Sequence, residues 1–163
     1  MTKARSPIPD GYHTVTPQLI FDDAAKAIEW YKTALGAEEK SRAQGPDGKI
    51  IHAELQIGNS RFILNDAMGG AKSPKSFGGS PISLWLYVTD CDVLYNRAVK
   101  AGGRVPPGPM GKLSDQFWGD RTGTVSDPFG YQWTIATRKE DVSREEMERR
   151  SEEFFKEYAG AHA

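Results

Sequence analysis

The chain sets out one order of secondary-structure signals twice, and this repeat constrains the fold more than any single motif. Residues 15–21 predict a strand, which Pro17 confines to an edge or a bulge. Asp22 and Asp23 then offer a helix cap. Ala24, Ala27, Ile28, Tyr31 and Leu35 recur at helical spacing, and Gly36 ends the helix. Strands are predicted over 38–43, 49–57 and 61–65, with turn chemistry at 44–48 and 58–60 between them. The second half begins with a strand over 82–88. A helix follows, capped by Asp90 or Asp92, carrying Val93, Leu94, Arg97, Ala98 and Ala101, and stopped by Gly102 and Gly103. A short strand at 104–105 leads to a Pro/Gly-rich loop over 106–111, and the stretch 106–114 reads as a lid. The last two strands span 117–126 and 131–137, joined by the turn 127–130. Asp23 and Asp90 lie 67 positions apart. The expected fold is α+β: two tandem βαβββ modules forming an open, cupped mixed sheet, plus a C-terminal amphipathic helix.

The divisions follow: an N-terminal tail over 1–11, a first module over 12–76, a glycine-rich link over 77–81, a second module over 82–137, and a terminal helix and tail over 138–163. Ser143 and Glu146 form a capping box. Met147, Ser151, Phe154, Phe155 and Tyr158 then share one helical face, which must pack on the domain or on a partner. Cys91 is the single cysteine, so no intrachain disulfide or cysteine-based zinc site can form. Lys and Arg total 21 against 22 Asp and Glu. That balance excludes a phosphate-backbone reader, so no nucleic-acid partner is expected. It also supplies no polybasic membrane patch. The first eleven residues hold no apolar core, and nothing approaches the ~18 apolar residues of a span. A cytoplasmic protein with no membrane partner is expected.

Asp23, Trp30, Tyr31, Leu35 and Gly36, together with the Asp127-Pro128-Phe129-Gly130 turn, resemble the vicinal oxygen chelate superfamily of glyoxalases, bleomycin resistance proteins and extradiol dioxygenases. Within it the chain looks like the PhnB-like branch. The carriers are His52, Ala53, Glu54, Leu55, Ile57 and Gly58; the Gly79-Ser80-Pro81 link; Phe117-Trp118-Gly119-Asp120-Arg121; and Glu140-Asp141-Val142-Ser143. The resemblance implies a cleft in the cupped sheet, homodimers that share it, and in catalytic members a divalent cation. By the family pattern its ligands would fall at Thr16, Ser83 and Thr134, and near Leu64 or Asn65. Hydroxyls and an amide do not match imidazole or carboxylate, so the standard metal site is expected to be degenerate and no metal ligand is assigned.

Strand alternation then names what faces the cleft. With Thr16 and Ser83 pointing inward, Gln18, Trp85 and Tyr87 do so too, and Thr134 brings Gln132. Phe117, Trp118 and Arg121 add an indole wall and a guanidinium suited to an anionic group. These seven residues are the candidate ligand contacts, unless the rings only fill the sheet and Arg121 only pins a loop. His52, Glu54 and Gln56 share a face opposite Ile51, Ala53, Leu55 and Ile57. His52 and Glu54 are the candidate catalytic residues, as an acid/base pair. They offer two ligands to a displaced divalent metal, with no third histidine or cysteine nearby; His13 and His162 lie elsewhere.

The reading preferred is a protein that binds a small organic molecule in the cleft. A lyase or isomerase using His52 and Glu54, or a displaced metal, is the alternative. A protein-interaction module acting through the terminal helix is the third. Whether the chain is an enzyme stays open at this point.

Overall fold

A computed structural model describes residues 4–161. In the first module β1 (Gln18–Phe21) runs into α1 (Ala24–Leu35), followed by β2 (Glu38–Gln44), β3 (Ile50–Ile57) and β4 (Ser60–Asp66). The second repeats this as β5 (Ser83–Tyr87), α2 (Cys91–Lys100), β6 (Ser114–Asp115), β7 (Asp120–Ser126) and β8 (Gln132–Arg138), and α3 (Arg144–Ala161) closes the chain. Each module makes a four-stranded mixed sheet, ordered β1-β4-β3-β2 and β5-β8-β7-β6. The first strand of each lies parallel to the last.

The helix ends follow local chemistry. Asp23 accepts the Lys26 amide and Asp90 the Val93 amide, both at 3.0 Å, each satisfying a donor that a helix start leaves unpaired. Gly36 ends α1 at φ +69°, where a Cβ would be strained. The repeat extends to the last strand of each module. Asp66 Oδ1 accepts the first α1 amide, Ala24, at 2.8 Å, and Thr137 Oγ1 accepts the first α2 amide, Cys91, at 2.9 Å.

Three strand expectations are corrected. The first strand begins at Gln18 and not at residue 15, because Pro17 has no amide to give and Thr16 turns back to the His13 carbonyl. Residues 104–105 make only one bridge, Arg104 to Ser126, while the third strand of the second module, β6, forms at 114–115 against β7. Residues 116–119 form a turn, closed by Gly119 N to Gln116 O at 3.0 Å, so β7 starts at Asp120. In β3 a register shift opposite Ala43 and Gln44 puts Ile50 in the core and leaves Ile51 53% exposed, against strict alternation.

The helix-facing sides of the two sheets share one core. Phe21 meets Tyr131, Phe62 meets Trp133, and Tyr31 meets both Phe62 and Trp133, edge to face. Asp127 sits at this seam. Its Oδ1 accepts the Phe129 and Tyr131 amides, each at 2.9 Å, which builds the turn. Its Oδ2 accepts the Tyr31 hydroxyl at 2.6 Å and the Trp133 indole at 3.1 Å. Burial raises its pKa, and these four hydrogen bonds oppose that rise. From α2, Arg97 donates to the Thr33 and Lys32 carbonyls at the end of α1, and the Trp30 indole donates to Ala101 O at 2.9 Å. The Tyr131 hydroxyl bonds both the amide and the carbonyl of Ile20, closing the outer edge of β1. With the inner faces joined in this way, the other face of each sheet looks outward.

Candidate functional site

The outward face of the second sheet is built in rows. Alternation puts Ser83, Trp85 and Tyr87 of β5, Gln132, Thr134 and Ala136 of β8, and Asp120, Thr122, Thr124 and Ser126 of β7 on one side. The neighbouring β7 positions meet α2: Arg121 bonds Asp92, and Gly123 leaves room for the Tyr95 ring. Pairing aligns Ser83, Gln132 and Ser126, then Trp85, Thr134 and Thr124, then Tyr87, Ala136 and Thr122. The floor is thus small and hydroxylated: Thr122, Thr124, Thr134 and Ala136 are buried, and the Thr124 and Thr134 hydroxyls bond each other at 3.0 Å.

Over this floor stand aromatic rings. Trp85 and Tyr87 lie 6.1 Å apart at 33° and are 43% and 62% exposed. The Tyr87 hydroxyl donates to Asp120 Oδ2 at 2.9 Å, and the Trp118 indole donates to the same oxygen at 3.0 Å. That bond, with partial burial, pushes the Tyr87 phenol up. Trp118 meets Phe117 edge-on at 5.0 Å, and Phe117 meets Phe154 of α3 at 5.4 Å. Five of the seven expected ligand contacts therefore gather on or beside this face: Trp85, Tyr87, Phe117, Trp118 and Gln132.

The other two do not. Arg121 points to the helix side, where Asp92 takes its Nε and Nη2 at 2.7 and 2.8 Å and Asp115 its Nη1 at 3.1 Å. Three of its N–H donors, paired with two carboxylates, tie α2 to β6 on the side away from the rings. Gln18 lies on the first sheet, where its amide donates to Asn65 Oδ1 at 2.7 Å.

The first sheet's outward face carries the expected acid/base pair. His52 Nε2 lies 3.3 Å from Glu54 Oε1, and Arg61 Nη1 lies 3.5 Å from Glu54 Oε2. The residues ahead of β1 fold back over it. Tyr12 lies beside Glu54 and under the Arg61 guanidinium, 5.5 Å from its ring centre. Residues of this segment and His52, Glu54 and Ile63 line an open hollow of about 510 Å³. Burial pushes the Glu54 carboxyl up, but the bonds from Tyr12 and His52 and the charges of His52 and Arg61 outweigh it, holding Glu54 below its ordinary value. A smaller cavity, about 210 Å³, opens at the seam between His13, Arg61, Phe62, Trp85 and Trp133.

Among the described residues, no three His, Cys, Asp or Glu side chains come together as metal ligands would. His13 bonds the Asn59 carbonyl, and His162 lies outside the described residues. Leu64 points into the core. No described helix is long and apolar enough to cross a membrane. Asp120, Thr122, Tyr12 and Arg61 were not among the expected site residues. The polar run Asp120, Thr122, Thr124, Ser126 at every second position was the signal for the first two.

The family profile of the Glyoxalase/Bleomycin resistance protein/Dioxygenase superfamily matches residues 12–135. An uncharacterised protein of Mycobacterium bovis is 44% identical over 139 residues, covering 82% of this chain and 89% of its own. Among solved structures, the bleomycin resistance determinant encoded on the transposon Tn5 superposes with a TM-score of 0.58 at 20% identity, over 78% of this chain and 99% of its own. The PhnB protein from Bacillus cereus does so at 0.57 and 17% identity, over 77% and 99%. At these identities the two structures speak for the fold alone.

Proposed function

The chain belongs to the Glyoxalase/Bleomycin resistance protein/Dioxygenase superfamily, and from that premise we propose that it binds a small organic molecule on the outward face of the second sheet. The observation that carries this reading is the Trp85–Tyr87 pair, standing half-exposed over a floor of buried threonines. Exposed neighbouring rings suit stacking, and Gln132 at the margin of the face supplies donors and an acceptor. The family's metal chemistry does not fit the donors present. Thr16 gives its hydroxyl to His13 O, Thr134 is paired with Thr124, and Asn65 is held by Gln18 and Asp66. Hydroxyls and an amide already committed elsewhere make a poor site for a borderline cation.

The test is calorimetric titration with 1-naphthalenemethanol, a neutral flat probe. Binding that Trp85→Ala weakens about tenfold supports the reading, since one stacked ring carries on the order of 1–2 kcal/mol. Undiminished binding in that variant overturns it, as does a stoichiometric transition metal in protein purified without chelators or nickel.

A second reading rests on the His52–Glu54 contact: an acid/base pair for proton transfer in a lyase or isomerase. Turnover lost in His52→Gln with ligand affinity retained would move the assignment there. We further propose a homodimer, because each outward face needs a second surface to become an enclosed cleft.

A further inference from the structure

Asp120 is 2% exposed, and its two carboxyl oxygens differ sharply. Oδ2 takes both the Tyr87 hydroxyl and the Trp118 indole, while Oδ1, shielded from solvent, accepts no hydrogen bond from any described residue. One step along β7 on the same face, the fully buried Thr122 hydroxyl also lacks a partner. Buried polar atoms almost always find partners, because leaving one unmade costs the full desolvation of that group. Two such atoms at alternate positions on one face of β7, next to Tyr87 and Trp118, call for a common explanation.

We propose that Asp120 Oδ1 and Thr122 Oγ1 form the polar end of the ligand site and take a cationic nitrogen, an ammonium or amidinium carried on a flat apolar body. This rests on the binding reading above and names the ligand class for it. A carboxylate oxygen with free lone pairs selects a donor, and a charged donor over a neutral one. The Tyr87 ring, whose hydroxyl is turned to Oδ2, favours a cation by its quadrupole. Trp85, one row away, takes the flat body. Trp118 rides on the 116–119 turn, outside β7, so displacing its ring uncovers Oδ1 while the strand stays paired.

The experiment compares 1-naphthylmethylamine, protonated at neutral pH, with 1-naphthalenemethanol by calorimetry on the full chain. The amine is expected to bind about tenfold tighter or more. Asp120→Asn should bring the amine down to the level of the alcohol in that same variant, and Thr122→Val should weaken the amine several-fold. Because Asp120→Asn also disturbs Tyr87 and Trp118, the comparison on the unaltered protein decides by itself. Equal affinities there mean that a bound water alone satisfies Oδ1, and overturn the cation site while the binding reading stands. Binding of neither probe overturns both.

Discussion

Asp127 shows how much one side chain can hold. Two of its bonds fold the turn before β8, and the other two satisfy Tyr31 and Trp133 inside the seam. Replacing it by Ala leaves buried donors unpaired, so Asp127→Ala should cost about 3 kcal/mol or more in urea unfolding. Asp127→Asn should cost less, since the Tyr31 hydroxyl can turn to accept. The Asp-Pro-x-Gly turn was legible because its bonds are local. Its bond to Tyr31, 96 positions away, was not, because nothing in a linear pattern reports which distant hydroxyl arrives. The same limit explains Arg121. A lone arginine at a strand start reads as a free fork, and only the docked α2 shows that Asp92 fills it.

Among the elements, the three helices and most strands, β3 included, were readable from spacing and caps, whereas β6 and the outward turn of Ile51 in β3 were not. A bulge shifts Ile50 into the core by one residue, and periodicity cannot foresee where a register slips. The segment before β1 lies against the first sheet through Tyr12, beside Glu54 and under Arg61. The native Glu54 carboxyl lies below its ordinary 4.5, so its contribution is whole above that pH and fades as pH falls through the lower native value. Hydrogen exchange should therefore show this segment tight above pH 4.5 and loosening as the pH is taken progressively below it, with both sheets protected throughout. The helix α3 is tied down by Phe154 on Phe117 and by Arg150 on Glu140, contacts that cap the surface without entering the core. A chain ending at Asp141 should stay folded, losing about 1–3 kcal/mol in a thermal melt. Unfolding of that variant would instead make the helix part of the core.

At the scale of the molecule, the duplicated βαβββ order was the most legible feature, because each copy carries its own caps and turns. Less legible was how the copies meet, since the shared core depends on Tyr31, Phe62 and Trp133 finding one another across the chain. The proposed homodimer predicts twice the 18.0 kDa chain mass in light scattering at micromolar concentration. Trp85→Ala and Tyr87→Ala should keep that mass if the rings serve the ligand and not the interface. The Arg97 contact carries one more implication. With α1 dependent for its final carbonyls on a side chain from the second copy, and Tyr31 dependent on Asp127, neither half is a self-sufficient unit. Each half supplies groups that the other leaves unsatisfied, so either one produced alone should fail to fold.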